Sequence, residues 1–518
     1  MKRTVMLGLD NSVRSGFGIV LRGLAVAIAI QLLMVPVSAN AYTTDPVTGC
    51  RIFRFTPDSA EFTTVKTTWN NNSTGYFRDG DVFEFEESSE PYVFTRNIWI
   101  QNHPHLIFRG VKSDGSDADK SKVVFTDETE GTTSWFQMEA ASNFFANITF
   151  TGMALDFRTS GNIVSNCVFS GIADRSAIYG NTTAAEVAVY DSFFTNNVHS
   201  SGFAVIRNLK TFAATNCVFS GNVNAETSIN GGGAIAGVST LSCENCVFTE
   251  NRTTGWYGGA IFQNGGNIAL DRCSFVGNSE TVTYNRNDGC GGGAVAVINS
   301  ATGHIRNCLF VSNSCATAIG KNNRSYGGGA VYTSGNSTAL TIENCTFSGN
   351  SVSDTSGNTG SDIGGALVVG GGSVGVTNCV FHENRTNLTD GDNGSWRFAH
   401  VYLPSEDACE RMANCLESNF GTLDFNMVNG KGRPAATHII DGVNGNKVGD
   451  YDPKFTDAAN GDYTLQKNSD CRDAGTLLAW MDSSSLDLAG SARVFGDHPD
   501  IGCYEWWQKL MGLSIFVR

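Results

Sequence analysis

Proline and basic residues are both scarce in this sequence. The 518 residues include 9 prolines, and 35 lysines and arginines stand against 50 aspartates and glutamates, which gives a net charge of −15. An acidic chain is repelled by the phosphates of nucleic acids and by anionic membranes, so partners of these two kinds are excluded. With 41% hydrophobic residues the chain can also support a packed core, which excludes a disordered linker.

Long apolar runs are almost missing. The run at residues 24–35 is too short to span a bilayer, and no later run is long enough for a membrane helix. Four basic residues precede this run, and Ala39 and Ala41 follow it as the small residues that a signal peptidase reads. Residues 1–41 are therefore predicted to be a signal peptide. We expect export to the extracellular space, the bacterial cell surface or the outer membrane, where disulfides can form.

Helical periodicity is absent, and a repeat takes its place. A Cys-x-Phe pattern or a variant of it returns every 19 to 37 residues from Asn147 onward. Residues two apart lie on the same face of a strand, so Cys and Phe are both predicted to point inward. This core ladder consists of Cys167, Cys217, Cys246, Cys273, Cys308, Cys345 and Cys379 with Phe169, Phe194, Phe219, Phe248, Phe275, Phe310, Phe347 and Phe381.

Two further strands complete each repeat. Three and five residues before the Cys position lies an apolar pair such as Ile268 and Leu270, and further upstream stands Gly-Gly-Ala followed by Ile, Val or Leu, as at Gly258 to Ile261. Three short strands in coils of this length predict an all-β fold, a right-handed parallel β-helix. The predicted organisation is a signal peptide (1–41), an N-terminal cap with irregular coils (42–146), regular repeats (147–384), and C-terminal coils with a tail (385–518).

The alternation of Gly-Gly-Ala with Phe-x-x-Asn resembles the repeat of the chlamydial polymorphic outer membrane proteins. It covers roughly residues 190–384. The resemblance implies a surface adhesin on a pectin-lyase-like solenoid. Residues after Asn384 depart from that family, because they lack the series of alternating strands, each of about ten residues, that a membrane barrel needs.

The tail is similar to the C-terminal segment of secreted bacterial β-helix proteins that carry variable surface anchors. Where such tails usually have proline after the serine, this chain has Asp470. The matching residues are Asp462, Tyr463, Leu465, Ser469, Asp473, Gly475, Asp487, Gly490, Arg493, Asp500, Ile501, Gly502, Tyr504 and Glu505.

The repeats lengthen at one corner, which predicts a variable-loop edge along the solenoid. Aromatic and arginine side chains in these loops suit a glycan or protein surface, and we expect binding or adhesion there, with no reaction assigned. The candidate ligand-binding residues are Trp256, Tyr257, Tyr284, Arg286, Arg324, Tyr326 and Trp396, with Arg397 beside the last.

The alternative interpretation is a carbohydrate-active enzyme, a polysaccharide lyase or glycoside hydrolase on the same fold. Its candidate residues are the corner column Glu244, Asp271, Arg306 and Glu343, since hydrolysis needs paired carboxylates. Charged corner residues are usually solvated turns, and His304 is predicted to be structural, so an enzyme is possible but unsupported.

The fifteen cysteines divide by position. The inward Cys column is predicted to stay reduced, because stacked side chains direct their Cβ vectors parallel. Cys290 with Cys315, Cys409 with Cys415, and Cys471 with Cys503 are the disulfide candidates. No Cys and His set has zinc-ligand spacing, and no cofactor is predicted. Calcium is an open possibility at two acidic clusters, Asp114, Asp117 and Asp119, and Asp390, Asp392 and Asn393.

Overall fold

A computed structural model describes most of the chain after the predicted signal peptide. The described residues are 42–63, 69, 77–128, 133–200, 204–225, 231–282, 290–317, 326–354, 364–386, 397–398, 401–402, 412–418 and 441–507. Within them, helix is confined to short segments, and no helix is both long and apolar enough to cross a bilayer.

The described part of the chain winds into a parallel β-helix with three long sheets, here called sheets 1, 2 and 3. Sheet 1 contains Tyr42–Thr44, Arg51–Phe55, Val82–Glu86, Ile98–Ile100, Ile107–Val111, Ser134–Met138, Phe144–Ala146, Met153–Phe157, Asn162–Ser165, Ile178–Gly180, Glu186–Tyr190, Ile206–Thr215, Ile235–Glu244, Ile261–Asn264, Asn267–Asp271, Val295–Ile298, Thr302–Arg306, Val331–Ser334, Ala339–Glu343, Leu367–Val369, Ser373–Thr377, Val401–Tyr402 and Met412–Ala413.

Sheets 2 and 3 contain shorter strands. Sheet 2 contains Tyr92–Phe94, Val124–Asp127, Thr149–Thr151, Val168–Ser170, Phe193–Thr195, Val218–Ser220, Val247–Thr249, Ser274–Val276, Leu309–Val311, Thr346–Ser348, Val380–His382, Leu416–Ser418 and Lys447–Gly449. Sheet 3 contains Val198–His199, Val223–Asn224, Arg252–Thr253, Ser279–Val282, Ser314–Thr317, Ser351–Asp354, Arg385–Thr386 and Arg397–Phe398.

Short pairs and turns complete the described elements. Cys290–Gly291 pairs with Tyr326–Gly327, and Phe455–Asp457 pairs with Asp462–Leu465. Three 3-10 turns lie at Lys120–Lys122, Val443–Gly445 and Ala458–Asn460.

The predicted inward positions of sheet 2 are confirmed. Each Cys and Phe of the core ladder is fully or almost fully buried. From Phe150 to Phe381 the rings stack coil on coil, with centroids 4.7 to 5.0 Å apart and interplanar angles of 3° to 6°. That spacing is the distance between neighbouring strands, so the ring column follows directly from an in-register parallel sheet. Cys415 continues the Cys column beyond Cys379.

The corner before each Cys adopts a left-handed backbone. Asn166, Asn216, Asn245 and Asn307 have φ between 50° and 56°, and Arg272 has φ 51°. Asn tolerates this region better than other side-chain-bearing residues, which explains its recurrence at the corner.

The Asn of Phe-x-x-Asn forms a buried ladder inside the solenoid. Asn278 donates from Nδ2 to the Phe248 carbonyl (2.9 Å) and to Asn313 Oδ1 (3.0 Å), while its own Oδ1 accepts from the backbone and Nδ2 of Asn251 (3.0 and 2.9 Å). The same pattern links Asn197, Asn222, Asn251, Asn278, Asn313, Asn350 and Asn384. The ladder therefore satisfies the backbone at the turn between sheets 2 and 3.

The strand assignment from sequence needs one correction. In each coil, the strand with the apolar pair and the strand after Gly-Gly-Ala both belong to sheet 1. Sheet 3 is formed by the short strands that follow Phe-x-x-Asn. The paired glycines are required because backbone carbonyls of sheet 3 and of the next coil lie too close to leave room for a Cβ. A Cβ on Gly293 would lie 2.1 Å from the Gly329 carbonyl and 2.5 Å from that of Ser314.

Non-repeating segments before and after the repeats cover parts of the solenoid. At the N-terminus, Tyr42–Thr44 runs antiparallel to Arg51–Phe55 within the predicted cap. At the C-terminus, the Phe455–Leu465 hairpin and the segment around Ile501 pack on the outer face of sheet 2, against Leu309 and Val380. Each cover lies where the solenoid would otherwise present an open edge or an apolar face to water.

Candidate functional site

A row of outward-pointing side chains crosses the outer face of sheet 1. Residues 99, 137, 156, 179 and 207 are register partners in successive strands. They alternate with core residues such as Ile98, Phe136 and Leu155, so their side chains point outward. We call Trp99, Gln137, Asp156, Tyr179 and Arg207 the sheet 1 row.

Three arginines and three aromatic rings meet at this row. The Arg175 guanidinium lies 3.6 Å from the centroid of the Trp135 ring, and Arg158 lies 5.4 Å from that of Tyr179. Arg175 is exposed, and the side chain of Arg158 is 36% exposed. Arginines that lie over aromatic rings can still direct N–H groups toward an anion while the ring remains an apolar surface.

Asp156 lies beneath these groups. Its Oδ2 accepts from Arg158 Nη2 at 2.5 Å, and the residue is 5% exposed. Burial raises the pKa of Asp156, and the hydrogen bond and charge of Arg158 oppose that rise. Its position fixes Arg158 toward Tyr179, so Asp156 is a positioning residue. Nearby, Gln137 Nε2 donates to Glu139 Oε1 at 2.7 Å.

Sequence analysis missed the sheet 1 row. A usable signal was present, because Ile-Trp-Ile, Phe-Gln-Met and Leu-Asp-Phe each place one polar or aromatic residue between two core residues in consecutive coils. The coils differ in length and carry no Cys-x-Phe marker before residue 167, so only strand register brings these residues together.

The predicted variable-loop residues are arranged differently from the expectation. Trp256 is only 3% exposed and packs against Val282, so an exposed binding ring at this position is wrong. Tyr257 stacks on Phe262 and Tyr332. These loops fold back on the solenoid because doing so buries large apolar rings. The side chain of Tyr326 and the residues Tyr284, Arg286, Arg324 and Trp396 lie outside the described part of the chain.

The corner column forms ion pairs with its neighbours and is partly covered by the tail. Arg272 pairs with Glu244, and Arg306 Nε donates to Glu343 at 2.7 Å. Asn307 donates to Asp271 at 2.9 Å, and the Trp480 ring lies 4.9 Å from the Arg306 guanidinium. Every member of the column thus has a structural partner or cover. Burial lowers the pKa of His304 to about 4, which keeps it neutral as a structural residue.

The carboxylates of the described acidic cluster are used in local turns at Asp114 and Asp119 and in a contact with another coil at Asp117. Asp114 accepts from Ser116, Asp119 accepts from Ser121, and Asp117 accepts from Asn147. Within the described residues no three His, Cys, Asp or Glu side chains form a possible metal site. Asp390, Asp392 and Asn393 lie outside them, and calcium stays a prediction.

The disulfide candidates that can be placed are buried thiols. Cys471 and Cys503 both lie in the tail core, and Cys415 belongs to the inward column. Cys315 donates from Sγ to Glu280 Oε2 at 2.8 Å, in neighbouring strands of sheet 3. Cys409 and the side chain of Cys290 lie outside the described residues, so the Cys290–Cys315 and Cys409–Cys415 pairings stay predictions. Cys471 and Cys503 are both free thiols, so the predicted Cys471–Cys503 disulfide is wrong.

Glu280 predicts a measurable pH dependence. Burial raises its pKa from 4.5 to about 8, so the folded state holds a proton that the unfolded state releases. The free energy of unfolding is therefore expected to fall by a few kcal/mol as pH rises between these two values. Denaturant titrations at about pH 5 and pH 8 should show a smaller fall in Glu280→Gln, which does not titrate. Equal falls in both proteins would contradict the expected linkage.

Comparison with known proteins leaves the family open. No family model matches the chain, so the chlamydial resemblance stays a prediction. A 182-residue stretch is 29% identical to a metabotropic glutamate receptor-like protein R of Dictyostelium discoideum, covering 34% of this chain and 10% of that protein.

Two solved structures are similar over most of the chain. The alginate lyase AlyF-OU02 in complex with G6 gives a TM-score of 0.37 at 10% identity, covering 70% of this chain and 78% of that one. A mannuronic acid specific family 6 lyase from human gut microbiota gives 0.33 at 11% identity, covering 72% and 87%. The assignment of a parallel β-helix rests on the strand pairing within this chain, and the description of the site rests on the residues of this chain.

Proposed function

We propose that this protein is carbohydrate-active and binds an acidic polysaccharide along the sheet 1 row. The observation that supports this is the gathering of Arg158, Arg175 and Arg207 beside Trp99, Trp135 and Tyr179. Guanidinium groups bind sugar carboxylates through paired N–H donors, and flat rings pack against sugar faces. A uronate polymer offers both features in every unit.

The net charge of the chain means that only local positive charges can attract an acidic polysaccharide. With a net charge of −15, the protein as a whole repels an anionic polymer. Binding of such a polymer then depends on local cations with fixed geometry. Asp156 supplies that geometry for Arg158, and the Trp135 ring supplies it for Arg175.

Adhesion through the variable-loop edge is less well supported. Trp256 is buried, and Tyr257 is stacked against other rings of the coil, so neither provides an open platform. The adhesion interpretation stays a prediction that rests on the resemblance.

A polysaccharide panel tests the proposed function. Residues 42–518 would be titrated with alginate and polygalacturonate and with neutral glucans, while the ultraviolet absorbance of unsaturated uronates and the reducing ends are followed in the same samples. We expect binding to the acidic polymers that weakens with salt, and little binding to the neutral ones. Formation of unsaturated ends would assign a lyase reaction as well. Equal binding to neutral glucans, or binding to none, would overturn the proposal.

The arginine next to Trp135 predicts a specific loss. Arg175→Ala removes an exposed charge-assisted donor and is expected to weaken acidic polysaccharide binding by about tenfold. Arg252→Ala makes the same charge change at an exposed position of sheet 3. It serves as the matched control, and little effect on binding is expected. Equal weakening in the two variants would show that net charge, and not the row, drives binding.

A further inference from the structure

The sheet 1 row changes character after Arg207. The next register partners along the same line are small or apolar and almost fully buried, whereas those before it are polar or aromatic. These partners are Ala236, Phe262, Ala296, Tyr332 and Val368, all between 0% and 7% exposed. Something therefore covers the row from the second strand beyond Arg207 onward.

Tyr257 is one of the described residues that pack on this part of the line, together with Cys315 and Val352 of sheet 3. Its ring lies 5.1 Å from the Phe262 ring at an interplanar angle of 14°, and 5.9 Å from the Tyr332 ring at 24°. The backbone leading into Tyr257 is held by Trp256, which is buried against Val282 of sheet 3. The sheet 1 row thus ends in a layer of stacked rings instead of continuing as an open line.

We propose that Tyr257, stacked on Phe262 and Tyr332, is the end wall of the polysaccharide site, so that the protein recognises a chain terminus and not the interior of a long polymer. This inference rests on the proposed function. A polymer that lies along the row meets the wall about two strand spacings past Arg207, or roughly 10 Å. It has to end there, because the line it follows is filled by protein.

The length of the open row is consistent with a short terminal segment. Trp99 and Arg207 are four strand steps apart, which is about 19 Å. Trp99 lies at its far end, Tyr179 lies one strand step before Arg207, and Arg207 lies nearest the wall. The terminal unit would therefore place its anionic group at Arg207 and its flat face toward the apolar side chains that follow.

Oligouronates and polymers of increasing length test the wall. Binding isotherms would be measured for wild type, Tyr257→Ala and Tyr190→Ala, the last being an exposed tyrosine at another corner. For wild type we expect the number of proteins bound per polysaccharide chain to stay constant as length increases. For Tyr257→Ala we expect that number to rise several-fold on the longest polymers, and Tyr190→Ala should behave as wild type.

The outcomes distinguish failure of the end wall from failure of the proposed binding of acidic polysaccharide. If no acidic polysaccharide binds to wild type, the proposed function fails and the wall fails with it. If wild type binds and its stoichiometry already rises with chain length, the site accepts internal segments and the wall is wrong while the proposed function stands. A thermal melt of each variant checks folding. If Tyr257→Ala unfolds, the dependence of wild-type stoichiometry on polymer length still decides whether the wall exists. Tyr257→Phe keeps the stacked ring and provides a folded variant that should behave as wild type.

Discussion

Replacing Asn278 with leucine is expected to lower the free energy of unfolding by about 4 kcal/mol or more. The side chain is fully buried and joins three coils, because it bonds the Phe248 carbonyl, Asn313 and Asn251. Leucine has similar volume but removes two donated bonds. It also takes the Asn278 acceptor away from the backbone N–H and from one Nδ2 hydrogen of Asn251, whose other Nδ2 hydrogen still bonds the Phe219 carbonyl. Each buried polar atom left unsatisfied costs about 1 to 3 kcal/mol, so several together dominate any gain in apolar burial.

Equilibrium denaturation by guanidinium measures this loss, and Asn216→Gly is the matched control. Asn216 lies in the exposed Asn column at the opposite corner, with φ 56°, which glycine also adopts. The control is expected to cost less than about 1 kcal/mol. A leucine variant as stable as this control would mean that the buried ladder contributes nothing beyond packing.

The ladder also shows what the sequence could and could not predict. Phe-x-x-Asn was visible as a motif, yet its function in the fold depends on the amide of the next coil, which stands 25 to 37 residues away. The Cys and Phe positions were predictable because their spacing of two is a local property of a strand. Sheet 3 was not, because strands of two to four residues carry too little pattern to be recognised.

The candidate site was harder to predict than the fold for a related reason. Trp99, Asp156 and Arg207 share no residue type and lie in coils of different lengths. Their alignment in one row is a consequence of strand register, and Trp99 lies before residue 147, where the regular repeats begin. The aromatic loops gave the opposite problem. Trp256 was a candidate ligand-binding residue because it lies in a variable loop, but a large ring gains more by packing on the coil than by facing water.

The tail residues that carry the sequence resemblance are joined by hydrogen bonds. Most of its matching polar residues form one buried network, in which Asp487 accepts from the Glu505 backbone and Asp500 accepts from those of Asp473 and Trp506. The same segment bonds to the solenoid, because Cys503 N–H donates to Thr346 and Thr476 N–H donates to Asn378. The network therefore shapes the tail so that it covers sheet 2.

Arg493 is the centre of that network, and Arg493→Met is expected to cost about 3 to 5 kcal/mol. The guanidinium is fully buried, donates to the Asp500 and Gly502 carbonyls at 2.8 Å, and pairs with Glu505 at 2.9 Å. Methionine fills part of the space but leaves the Glu505 carboxyl buried without its counter-charge.

The stability loss should be accompanied by detachment of the tail from sheet 2, because the Asp500 carbonyl that Arg493 holds also accepts from Asn344. Hydrogen exchange at Cys503 and Thr476 and guanidinium denaturation would be compared with Arg472→Met, whose guanidinium is about one-third exposed over Trp506 and should matter by less than about 1 kcal/mol. Burial raises the pKa of Glu505 to about 8, so its charge is left unpaired only at alkaline pH, and there adding Glu505→Gln to Arg493→Met should restore part of the loss. If the double variant is no more stable than the single one, the cost is due to lost hydrogen bonds and shape, and the ion pair is not what holds the tail in place.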